Sequence, residues 1–111
     1  MQSIAYPDFE KVGMHYGRIL RVEDFPKALK PAYKLWIDFG ELGVRQSSAQ
    51  LSGLYSKTDL LNRLGVAVVN FPPRQVADFP SKMLVLGADL EGGKVVLLQL
   101  EREVPFGQRI Y

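Results

Sequence analysis

From Ala32 to Phe39 the chain alternates strictly. Tyr33, Leu35, Ile37 and Phe39 are large and apolar, and Lys34, Trp36 and Asp38 fall between them. A period of two places one set on each face of an extended strand. The rest of the chain is built from similar short runs, cut by glycine and proline. Met14 to Phe25 carries the β-favouring Tyr16, Ile19, Leu20 and Val22, with Gly17 inside, where a glycine marks a bulge or sharp bend. Pro26 to Pro31 reads as a loop. Gly40-Glu41-Leu42-Gly43 reads as a hairpin loop leading into a third strand, Val44 to Ala49. Gly65 to Phe71 is a continuous apolar run, a central strand ended by Pro72-Pro73. Met83 to Gly87 and Val95 to Leu100 are two more runs, with Gly92-Gly93 as the turn between them.

Helical signals are few. Pro7 to Lys11 suits a single turn. Ser56-Lys57-Thr58-Asp59 precedes Leu60 to Leu64 as a capped helix would, with Gly65 just past its end. The count is five principal strands and one extra near the C-terminus, with a short helix between the third and fourth. This is an all-β chain with short helices, and its order fits a five-stranded OB-fold barrel. An SH3-like barrel or an open antiparallel sandwich is the alternative.

Residues 1–111, 47% hydrophobic, suffice for one domain with a real core. The absence of cysteine removes disulfides, thiolate metal sites and cysteine nucleophiles. His15 is the only histidine, so a multi-histidine metal site is excluded. Flanked by Met14 and Tyr16, it reads as a packed or surface imidazole rather than a general base. The carboxylates are scattered and form no catalytic pair. Neither Gly40-Glu41-Leu42-Gly43 nor Gly92-Gly93 has the surroundings of a phosphate loop. The expectation is therefore a binding protein, not an enzyme, with no cofactor or metal. Met1 to Tyr6 lacks the pattern of a signal peptide, and no apolar run could span a bilayer, so a cytoplasmic location without membrane insertion is expected. The net charge of +2 permits an anionic partner without demanding one.

Four places carry groups suited to binding. Ser47-Ser48-Ala49-Gln50 ends a strand with small polar side chains, either as a plain edge or as donors and acceptors in a groove. Asn70-Phe71-Pro72-Pro73-Arg74 holds an arginine on a proline-stiffened loop, where it can take a phosphate or stack on a base. Phe79-Pro80-Ser81-Lys82 reads as a further turn with a hydroxyl and an ammonium. Trp36 beside Lys34 suits a stacking platform, or packing against a second subunit.

Several blocks occur together in order: Ile37-Asp38-Phe39-Gly40, Gln46-Ser47-Ser48-Ala49-Gln50, Val66-Ala67-Val68-Val69-Asn70-Phe71-Pro72-Pro73-Arg74, and Phe79-Pro80-Ser81 with Val85-Leu86-Gly87. In these blocks the chain resembles the CsaA family, from about Asp8 to about Gly107. That family is similar to the tRNA-binding domains appended to methionyl-tRNA synthetases. The resemblance implies an OB barrel, a homodimer with extensions at both chain ends, tRNA binding, and export-related chaperone activity toward unfolded polypeptides or preproteins. Compared with the wider tRNA-binding domain, Pro72 replaces a lysine and Met83-Leu84 stands where a Gly-Met pair is expected. Asp78 replaces a common glycine and adds a negative charge.

Two functions from different classes follow. In the first, Lys34, Arg45, Arg74 and Lys82 contact RNA phosphate, while Ser47, Ser48, Gln50, Asn70 and Ser81 make polar contacts to bases or sugars. In the second, an apolar groove lined by Trp36, Phe71, Phe79 and Leu84 takes up unfolded chains. The tail Val104 to Tyr111 carries Phe106, Ile110 and Tyr111 past the last strand, and these are expected to bury against a partner subunit.

Overall fold

A computed structural model describes residues Met1–Tyr111. The alternating segment forms β2 (Tyr33–Asp38), whose odd positions are buried and whose even positions are half-buried. It lies between β1 (Met14–Asp24) and β3 (Val44–Ala49), and β1 also pairs with β4 (Leu64–Val68). With β7 (Leu84–Val85) these make one five-stranded antiparallel sheet in the order β3-β2-β1-β4-β7. The sheet curls on itself into a nearly closed barrel around Ile19, Leu35, Ile37, Phe39, Leu51, Leu60 and Leu97. Two hairpins join it: β5 (Arg74–Val76) with β6 (Phe79–Ser81), and β8 (Gly87–Asp89) with β9 (Val95–Leu97). Two short α-helices, α1 (Tyr6–Glu10) and α2 (Lys57–Leu60), and two single 3-10 turns, Gly40–Leu42 and Glu91–Gly93, complete the set.

The barrel closes through a seam rather than a full ladder. Across β3 and the segment 80–83, one backbone bond runs from Lys82 N–H to the Gln46 carbonyl at 2.9 Å. Side chains supply the rest. Gln46 Nε2 donates to the Pro80 carbonyl at 2.8 Å, and the Ser47 hydroxyl donates to the Met83 carbonyl at 3.0 Å.

Gly17 is not the site of the bulge. It pairs in register with Gly65, and the register shifts instead between Ile19 and Arg21. Gly17 is required by packing: a Cβ there would strike Ile37 and come within 2.7 Å of the Phe39 ring. Helix α2 is also shorter than the sequence suggests. Ser56 caps it reciprocally with Asp59, but it ends at Leu60, and Asn62 (φ 68°) makes the turn. Gly65 belongs to β4. The run expected to continue as a strand to Phe71 leaves the ladder after Val68, and Phe71 is exposed.

The β5–β6 hairpin replaces what reads as a loop and a turn. It reverses at Ala77 (φ 52°) and Asp78, and Pro80 is accommodated because β6 pairs only with β5.

The C-terminal tail packs on its own barrel. Tyr16 N–H donates to Gln108 at 2.9 Å, Gly107 N–H to Tyr16 at 2.5 Å, and Ile110 N–H to Met14 at 2.8 Å. Ile110 and Val104 pack against Tyr16, Leu64 and Val66. The expectation that the large tail residues bury against a partner is therefore corrected for Ile110, which packs within its own chain. Ile110 is half-buried within the chain, Phe106 lies under the Arg18 guanidinium, and only Tyr111 is free of the barrel.

Candidate nucleic-acid interface

The β5–β6 hairpin leans on the outer face of β2. Phe79 is buried there, edge-on to Trp36 at 5.7 Å and to Phe25 at 5.6 Å. The Lys34 ammonium lies 4.9 Å from the Phe79 ring centre and 5.0 Å from that of Phe25. The Arg21 guanidinium covers Trp36 at 4.5 Å. At the hairpin tip, Lys27 Nζ donates to Asp78 at 2.7 Å. That bond holds the Asp78 carboxyl below its ordinary range and raises the Lys27 ammonium.

Anchored this way, the hairpin leaves two clefts between itself and β3. The larger, about 600 Å³, is walled by Lys27 to Lys30 and Ala32 of the β1–β2 loop, by Ser48 and Gln50, and by Arg74 to Ala77. The smaller, about 250 Å³, is lined by Ser47, Ser48, Phe71, Pro72, Arg74, Ser81, Met83 and Leu84. Ser48 and Arg74 line both, so the clefts meet at that pair. Three cations, Lys27, Lys30 and Arg74, face them, and no carboxylate lines either. Such a surface can hold a polyanion by its backbone and offer hydroxyl and amide groups to its sugars or bases.

The structure thus gathers Ser47, Ser48, Gln50, Arg74, Ser81, Phe71 and Leu84. It places the other expected residues elsewhere. Asn70 is a clamp: its Oδ1 accepts from Gly13 N–H at 2.8 Å and its Nδ2 donates to the Lys11 carbonyl at 2.7 Å. Arg45 is half-buried and donates to the Val69 carbonyl at 3.1 Å, with its Nε buried and unpartnered. Lys34, Trp36 and Phe79 are engaged in the aromatic cluster, so Phe79 is withdrawn from any open groove. Lys82 is exposed but lines neither cleft. Ser47 and Ser81 line the smaller cleft yet are buried and bonded to each other.

Lys27, Leu29, Lys30 and Gln75 were not singled out from the sequence. Lys27-Ala28-Leu29-Lys30, a cation-flanked apolar pair between two strands, is the signal that could have found three of them.

With this geometry in view, comparison with known proteins is decisive. The family described as "Putative tRNA binding domain" matches residues 14–109. The chain belongs to that family. Among curated relatives of this tRNA-binding domain, a methionine–tRNA ligase of Thermococcus onnurineus is 38% identical over 110 residues. The match covers 99% of this chain but 15% of the ligase, so the domain spans a small part of the enzyme's length. Two solved structures have the same fold. Chaperone CsaA from Bacillus anthracis is 46% identical, covering 99% of this chain and 100% of that one, with a TM-score of 0.93. CsaA chaperone protein from Picrophilus torridus is 47% identical, covering 98% and 100%, with a TM-score of 0.90. The OB-type barrel is therefore the fold, and the SH3-like and open-sandwich alternatives fall away. No helix is long and apolar enough to cross a membrane.

Proposed function

We propose that residues 1–111 act as one tRNA-binding unit that holds the RNA backbone across the two clefts. The observation that carries this reading is their meeting at Ser48 and Arg74, with Lys27 and Lys30 close by and no carboxylate in the lining. Phosphate contacts fix position, and Ser48, Gln50 and Gln75 offer polar contacts beside them. Recognition of this kind rests on shape more than base sequence. The unit binds and does not catalyse, and it works in the cytoplasm. Titration of tRNA at rising salt tests the proposal. Affinity should fall linearly on a log–log plot, with a slope of about −0.7 to −0.9 per phosphate contact. A flat response overturns it.

A chaperone activity toward unfolded polypeptides or preproteins is the second reading. Its specific support is the pair Phe71 and Leu84, 52% and 49% exposed at the smaller cleft. CsaA chaperones of the same fold add to it. Suppressed aggregation of an unrelated unfolded protein, unaffected by competing tRNA, supports this reading; failure to suppress leaves RNA binding alone. Homodimerisation belongs to the same proposal. Leu98, Phe106 and Tyr111 remain partly or wholly exposed near the docked tail and would be covered by a second copy.

A further inference from the structure

Of the three cations facing the clefts, Lys30 and Arg74 have no carboxylate partner, while Lys27 is paired with Asp78 at 2.7 Å. Asp78 sits at the tip of the β5–β6 hairpin, outside the cleft lining. Both side chains are largely exposed, 70% and 57%, so the pair contributes little to holding the hairpin. Phe79, buried between Phe25 and Trp36, anchors it instead.

We propose that Asp78 is an internal competitor for the phosphate that would otherwise engage Lys27, and so sets the affinity of the larger cleft for RNA. This rests on the tRNA-binding reading. A phosphate arriving at Lys27 exchanges one anionic partner for another and leaves Asp78 unpaired beside the RNA backbone. The contact then adds almost no net neutralisation, whereas Lys30 and Arg74 each add a full one. The positive charge of Lys27 is already matched within the protein by Asp78. Asp78 thereby selects for ligands that reach Lys30 and Arg74 together, because Lys27 alone does not reward a single phosphate.

The test is a cycle of Asp78→Asn, Lys27→Met and the double variant, each checked for an unchanged thermal midpoint and titrated with tRNA at several salt concentrations. Asparagine keeps the shape of the hairpin tip and removes only the charge. Asp78→Asn should bind about three- to tenfold tighter at low salt, with a slope steeper by roughly 0.7 to 0.9. In the Lys27→Met background most of that gain should vanish. Unchanged or weaker binding by Asp78→Asn overturns the inference. So does a gain of equal size without Lys27, which would make Asp78 only a distant repulsive charge. A wild-type protein that binds no tRNA at low salt defeats the underlying reading itself, and the inference with it.

Discussion

The hydroxyls of Ser47 on β3 and Ser81 on β6 stand 3.0 Å apart inside the barrel seam, and each also reaches the Met83 carbonyl, at 3.0 and 3.4 Å. Their first duty is closure. Ser47→Ala removes a hydroxyl whose one proton serves the Ser48 or the Met83 carbonyl and whose oxygen can accept from Ser81, and should cost about 1–2 kcal/mol. Chemical denaturation would show a lower midpoint at an unchanged slope. The tRNA affinity of the folded fraction should stay within about twofold, since Arg74 and Ser48 keep their places.

Gly17→Ala should be among the most damaging single changes in the chain. The added methyl meets the side chains of Ile37 on β2 and of Phe39 just past its end, both fully buried in the close-packed core. Overpacking of this kind costs about 3 kcal/mol. Circular dichroism on heating checks it: a midpoint within a degree or two of wild type would contradict the packing account.

Arg74→Ala removes the cation common to both clefts. Binding should weaken about equally for different tRNAs, with a salt slope shallower by about one. Loss confined to one tRNA would point to base reading instead.

Asp59 closes the α2 capping box. The Ser56 backbone N–H, and then its hydroxyl, hold the carboxyl below its ordinary value of 3.8. A depressed carboxyl contributes stability that is fully present above the unfolded value and is lost as pH falls through the folded one. Asp59→Asn should therefore lower stability at neutral pH and show a smaller further drop on acidification. Unfolding curves at pH values on both sides of 3.8 decide it; parallel losses in the two proteins would contradict the assignment.

Removing residues 104–111 strips the strand-like cover from Tyr16, which is 2% exposed in the intact chain, and from Val66 beside it. The truncated protein should appear as monomer or aggregate in sedimentation. A stable dimer after truncation would place the subunit contact elsewhere.

What was legible in the sequence was legible for a physical reason. Tyr33 to Phe39 announces itself because one face of β2 is buried and the other is not, which enforces a period of two. Ser56 announces a helix start because capping is local chemistry. The β5–β6 hairpin left no such trace. Its strands have three residues each, one holds a proline, and its anchor, Phe79, is buried by contacts with distant Phe25 and Trp36. The clefts depend on that hairpin, so Arg74 and Ser48 could be named from residue type while Lys27 and Lys30 could not. Asn70 shows the converse: its type suits a ligand, but Gly13 and Lys11 already use both ends of its amide.

The seam has a mechanical consequence. Elsewhere β3 is held by a full ladder to β2, but on its other side a single backbone bond and a few side chains keep it shut. That side is the barrel's most sparsely bonded wall, and both clefts open onto it. A ligand lying across them would act as missing rungs. Bound RNA should therefore slow amide exchange at Gln46 to Ser48 and Lys82 to Leu84 far more than along β1, and this wall of the protein would become rigid only while occupied.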